Sequence, residues 1–103
     1  MSEKFSSDFE LADLVEDNIE EPKYYKVLLH NDDYTTMDFV VEVLQKIFHK
    51  DKAEAYAIMM KVHTEGIGVC GIYPLEIAET KVFLVKQMAR SRGFPLKCTL
   101  EEV

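Results

Sequence analysis

Apolar and polar positions divide the chain into six short elements after an acidic lead-in. Tyr24, Tyr25, Val27, Leu28 and Leu29 form an aromatic and branched run between Pro22 and Asn31-Asp32-Asp33, which reads as a strand. Val40, Val43, Leu44, Ile47 and Phe48 then recur at helical spacing. They predict a helix over Met37 to Phe48, with Thr35 or Thr36 as N-cap and Asp38 in the first turn. Asp51 followed by Glu54 is a capping-box-like start, and Ala55, Ile58, Met59 and Val62 mark the buried stripe of a second helix that ends at Gly66. Ile67 to Tyr73 reads as a strand whose glycines predict a bulge or a close backbone approach. Pro74 suits the first position of a third helix, with Glu76 and Glu79 near its start and Lys86, Arg90 and Arg92 near its end, as the helix dipole favours. Gly93 and Pro95 stop that helix, and Leu96, Cys98 and Leu100 alternate with polar residues in a last strand.

The order β-α-α-β-α-β predicts an α+β fold, a compact three-stranded antiparallel sheet packed against three helices, over residues 22–103. A chain of 103 residues is long enough for one core and too short for two. Residues 1–21 carry too much charge for a compact fold and are expected to form a disordered, flexible acidic N-terminal extension. Within it Phe9, Leu11, Leu14 and Val15 have the spacing of a short helix that folds onto a partner; the other reading is a solubilising tail.

Charge sharpens this division. The extension holds Glu3, Asp8, Glu10, Asp13, Glu16, Asp17, Glu20 and Glu21 against Lys4 alone, which accounts for the whole net charge of −7. A neutral body lacks the clustered cations that nucleic acid requires, and it fits a monomer. No apolar run approaches the roughly 20 residues of a membrane span, nor does the acidic start resemble a signal peptide. Cys70 and Cys98, without metal or redox spacing, read as core residues of a protein in a reducing cytoplasm.

Asn31-Asp32-Asp33-Tyr34-Thr35 concentrates hydrogen-bond acceptors at a strand end. Turn and capping chemistry is the leading reading from composition alone. If the end of the first strand meets the end of the second helix, however, Asn31, Asp33 and His63 share a site. An amide oxygen, a carboxylate and a neutral imidazole would satisfy the three donors of a protonated primary amine, as found at the first residue of another chain. A metal bound by the two aspartates and His63 stays open, as does a purely dipole-related role for His63 at its helix end. Met37, Val40, Met59 and Val62 are either core or the walls of an adaptable apolar pocket. Catalysis finds no support, because Cys70 lies in an apolar strand that disfavours its thiolate.

Taken in order, Tyr25-Lys26-Val27-Leu28-Leu29, Asn31 to Thr35, Val62-His63 before Gly66, Cys70-Gly71, Glu76 to Val82, Pro95-Leu96 and Cys98 to Glu101 resemble the ClpS family of adaptors across about residues 22–101. The resemblance implies a non-enzymatic adaptor without cofactors. It would bind proteins whose first residue is Leu, Phe, Tyr or Trp (N-degrons) and deliver them to the N-terminal domain of the ClpA unfoldase for degradation by ClpAP. By resemblance, Asn31, Asp33 and His63 hold the α-amino group, and Asp32 and Thr35 lie near the peptide backbone. Leu29, Thr35, Met37, Val40, Met59, Val62 and Leu96 line the side-chain pocket, with Met37 as a gate against β-branched residues. Glu76 and Lys81 contact the unfoldase, while the acidic arm helps engage its pore. The rival expectation is a structural or ribosome-associated module of similar architecture, which needs neither Asn31 nor His63.

Overall fold

A computed structural model describes residues 22–103, in which the six expected elements occur in the expected order. The arm expected over residues 1–21 lies outside the described residues. Strand β1 (Tyr24–His30) is the centre of the sheet, flanked by β2 (Ile67–Pro74) and β3 (Lys97–Glu102), both antiparallel to it. Its centrality follows from its sequence, since Val27, Leu28 and Leu29 are all buried and only an inner strand hides three consecutive apolar residues. Val27 and Leu29 join the main core, to which α1 (Met37–Lys46) contributes Val43 and Leu44, α2 (Lys52–Glu65) Ala55 and Met59, and α3 (Leu75–Arg92) Ala78 and Val85.

The glycine-interrupted strand contains a bulge. Val27 pairs with Gly71 but Leu28 pairs with Val69, leaving Cys70 without an opposite residue. Gly68 and Cys70 are buried before this shift, whereas Gly71 and Tyr73 are the half-buried positions after it. One extra residue thus exchanges which parity of β2 faces inward. Both cysteines are free and buried. Burial raises the Cys70 thiol and pushes Cys98 up to about 12, so neither forms an appreciable thiolate.

Two contacts position α2. At its end Gly66 adopts a left-handed conformation (φ 88°), and its N–H donates to the Val62 carbonyl. At Gly68 a β-carbon would lie 2.7 Å from Val62 Cγ2 and 3.4 Å from the Ile58 carbonyl oxygen, so the helix packs where only glycine leaves room.

Helix α3 secures both halves of α1. Lys81 Nζ donates to the Ile47 carbonyl at 2.6 Å, satisfying an otherwise unpaired helix-end acceptor, and lies 5.9 and 5.5 Å from the ring centres of Phe48 and Tyr73. Beyond the other end of α3, Phe94 packs on Phe39 with ring centres 4.8 Å apart, and Arg92 bonds Glu42 at 2.6 Å.

Among the boundaries that differ from the sequence reading, two change how elements join. α1 ends at Lys46 rather than Phe48, because Ile47 serves as C-cap and His49 then takes a positive φ of 55°. Pro74 is the last residue of β2, paired with Tyr24 and extended (ψ 155°), so Leu75 opens α3.

Because the Val62 side chain occupies the space that a β-carbon at Gly68 would need, Gly68→Ala is expected to destabilise the domain by about 1–3 kcal/mol in urea unfolding. An unchanged unfolding midpoint would show that α2 retreats from β2 without cost.

Candidate functional site

The segment between β1 and α1 is built by one aspartate. Asp32 Oδ1 accepts the Tyr34 N–H at 2.8 Å and the Thr35 N–H at 2.7 Å, while Oδ2 accepts the Thr35 hydroxyl at 2.7 Å. Partial burial pushes the Asp32 carboxyl upward, but the bonds from the Thr35 hydroxyl, the Thr35 N–H and the Tyr34 N–H together outweigh it and hold the group below the usual carboxylate range. Thr36, rather than Thr35, is the N-cap, its hydroxyl accepting the Phe39 N–H at 3.1 Å. Both interactions are the Asx-turn and capping chemistry that the sequence allowed.

What the turn leaves over is chemically distinct. The side chains of Asn31 and Asp33 are exposed and join none of the turn's bonds. The Asn31 N–H donates to the Gly66 carbonyl at 2.9 Å, bringing the loop onto the end of α2, three residues beyond the exposed His63. The two ends presumed adjacent in the sequence reading therefore meet.

Between them lies a cavity of about 440 Å³ that Asn31, Asp33 and His63 all line. Its apolar wall is Met37 and Val40 from α1 with Met59 and Val62 from α2. Val40, Met59 and Val62 are buried, whereas Met37 is 44% exposed and stands at the mouth. Such an arrangement suits one apolar side chain attached to a group rich in hydrogen-bond donors.

Not every expected pocket residue reaches this space. Leu29 is wholly buried, because the alternation of β1 directs it into the core with Val27. Leu96 lines a separate depression beyond Tyr34, beside Phe94 and Arg90. Thr35 and Asp32 do line the cavity, with the Thr35 hydroxyl committed to Asp32. Tyr34 and Thr36 line it too and were missed; their adjacency to Asp33 and Met37 was the available signal. His30 points elsewhere, its Nε2 lying 2.7 Å from Thr99 Oγ1. Burial, then the nearby Lys97 charge, lowers its pKa.

Of the two α3 residues, Glu76 is exposed in the first turn, while Lys81 is half-buried and held by Ile47 and two rings. Among the described residues no group of three or more His, Cys, Asp or Glu is arranged to hold a metal ion, and no helix is long and apolar enough to cross a membrane.

Comparison with known proteins gives this site a context. Residues 20–99 match the family model described as ATP-dependent Clp protease adaptor protein ClpS. A protein of Oleidesulfovibrio alaskensis named ATP-dependent Clp protease adapter protein ClpS is 56% identical over the full length of both chains. One of the same name from Wolinella succinogenes is 58% identical over 93% of this chain and 94% of its own. Among solved structures, Agrobacterium tumefaciens ClpS2 bound to L-phenylalaninamide is 38% identical and superposes with a TM-score of 0.78, covering 81% of this chain and all of the other. Fold and matches together define a protease adaptor domain. The chain belongs to the ClpS family.

Asp32→Asn removes the acceptor of the Thr35 hydroxyl and the charge that the two N–H groups stabilise, and should cost about 1 kcal/mol near neutral pH. Because the folded carboxyl titrates below its unfolded value of about 3.9, its contribution is present above that pH and fades as pH falls through the folded value. The variant's deficit in urea unfolding should therefore shrink in acid. A deficit independent of pH would show that the turn does not hold the charged form.

Proposed function

We propose that this protein binds other proteins through a free N-terminal Leu, Phe, Tyr or Trp and delivers them to the ClpA unfoldase for degradation by ClpAP. The observation that carries this reading is that Asn31, Asp33 and His63 line one cavity whose apolar wall is Met37, Val40, Met59 and Val62. An α-ammonium offers three donors and no acceptor, which matches an amide oxygen, a carboxylate and a neutral imidazole nitrogen. The ligand of the Agrobacterium relative, L-phenylalaninamide, has those two parts, a free α-amine and an apolar side chain.

Asp32 acts on this ligand through the turn, since its carboxylate is already engaged by Tyr34 and Thr35. Met37 gates the mouth. A first residue branched at Cβ is stiff at χ1 and adapts poorly to a narrow entrance. On α3, Glu76 is the accessible residue for the unfoldase, and Lys81 supports that surface from within by joining α3 to the end of α1.

Neither half of the ligand suffices. Burying a Leu or Phe side chain contributes roughly 1.5–3 kcal/mol and each charged hydrogen bond a similar amount, so an internal Leu lacks the amine and a polar first residue leaves the cavity unfilled. The pair discriminates where either alone would not.

In fluorescence anisotropy, peptides beginning with Leu, Phe, Tyr or Trp should bind, and acetylating their amino group or substituting Asp33→Ala should remove most of the affinity. Equal binding after acetylation would sink the assignment. A structural module would instead lose no more than about 1 kcal/mol of stability on substitution of Asp33.

His63→Ala, which removes the imidazole acceptor, should weaken binding of the same peptides by about tenfold or more. Unchanged affinity with the fold intact would remove His63 from the acceptor set.

A further inference from the structure

A second cavity, of about 640 Å³, lies between α1 and α2 on the other side of Met59. Val41, Ala53, Tyr56 and Met59 line it together with Asp38 and Lys52. Neither the amine nor the first side chain of a ligand accounts for it. Tyr56 leaves 58% of its surface exposed there, although nothing in the core requires an aromatic residue at that position.

The two cavities are continuous in their construction. On α1, Met37 and Val40 line the first and Asp38 and Val41 the second, two adjoining stripes each with i, i+3 spacing. On α2, Val62 and Met59 line the first, whereas Met59, Tyr56 and Ala53 line the second. Passing from one to the other therefore means moving along α2 toward its N-terminus. Tyr56 precedes Met59 by three residues and Val62 by six, which is about 4.5 to 9 Å along the axis at 1.5 Å per residue. An extended peptide directs its first and third side chains to one side about 7 Å apart. With the first side chain against Met59 and Val62 and the peptide running toward the N-terminus of α2, the third falls over Tyr56.

We propose that this second cavity is a subsite for an apolar or aromatic third residue of the bound peptide, with Tyr56 and Val41 as its contact surface. The inference rests on the first-residue reading of the neighbouring cavity and adds a second point of selection to it. A degron is then read as two side chains, at positions one and three. The second residue points to solvent and is free to vary.

The test is a peptide series beginning with Phe, with a fixed second residue and Phe, Leu or Gly at the third. Phe or Leu should bind about fivefold or more tighter than Gly. Tyr56→Ala should bring that ratio to within about twofold, while Tyr56→Phe, which keeps the ring, should preserve it. Equal affinities across the series, or a preference that survives Tyr56→Ala, would overturn the subsite. A preference abolished instead by Arg90→Ala would overturn it too, by sending the peptide past Tyr34. If no Phe-first peptide binds, the first-residue reading itself fails, a result distinct from binding that ignores the third residue.

Discussion

One backbone hydrogen bond, from the Asn31 N–H to the Gly66 carbonyl, governs the geometry of the site. It extends the β1–β2 ladder one step past the pairing of His30 with Ile67, to the residue where α2 reverses into β2. That reversal occupies a single position because Gly66 accepts a left-handed backbone at little cost. A longer connection would let the helix end drift from the strand end. The loop acceptors and His63 therefore belong to one frame, although 32 positions separate Asn31 from His63 in the chain.

Around this bond, holding the fold and lining the cavity fall to different side chains of similar chemistry. Asp32 spends both oxygens on the turn, whereas Asp33 spends neither on it. Lys81 satisfies the end of α1 and touches two rings, whereas the surface pair of Arg92 and Glu42 contributes far less because water screens it. Among the methionines of the cavity, Met59 is embedded in the core and Met37 stands at the mouth.

Much of this was legible in the sequence where local chemistry decides the outcome. Asp51 caps α2 through the Glu54 N–H, Gly66 ends that helix left-handed, and the glycines of β2 accompany a bulge, each as residue type alone predicts. The early end of α1 was not legible, since His49 takes a positive φ without glycine to announce it. For the cavity, the three acceptors and four apolar wall residues followed from spacing and resemblance. Leu29 and Leu96, expected there by resemblance, lie elsewhere, because which side of a strand or of Tyr34 a leucine faces is settled by packing between elements distant in sequence.

The position of Met37 has an evolutionary consequence. It lies in the first turn of α1, largely outside the core, on a helix secured farther along by Phe39, Glu42 and the carbonyl of Ile47. Replacing it changes the entrance to the cavity while leaving the interactions that hold the helix in place. Selection for folding therefore does not oppose single substitutions at this position, and under the proposed reading the entrance to the site is free to change without cost to stability.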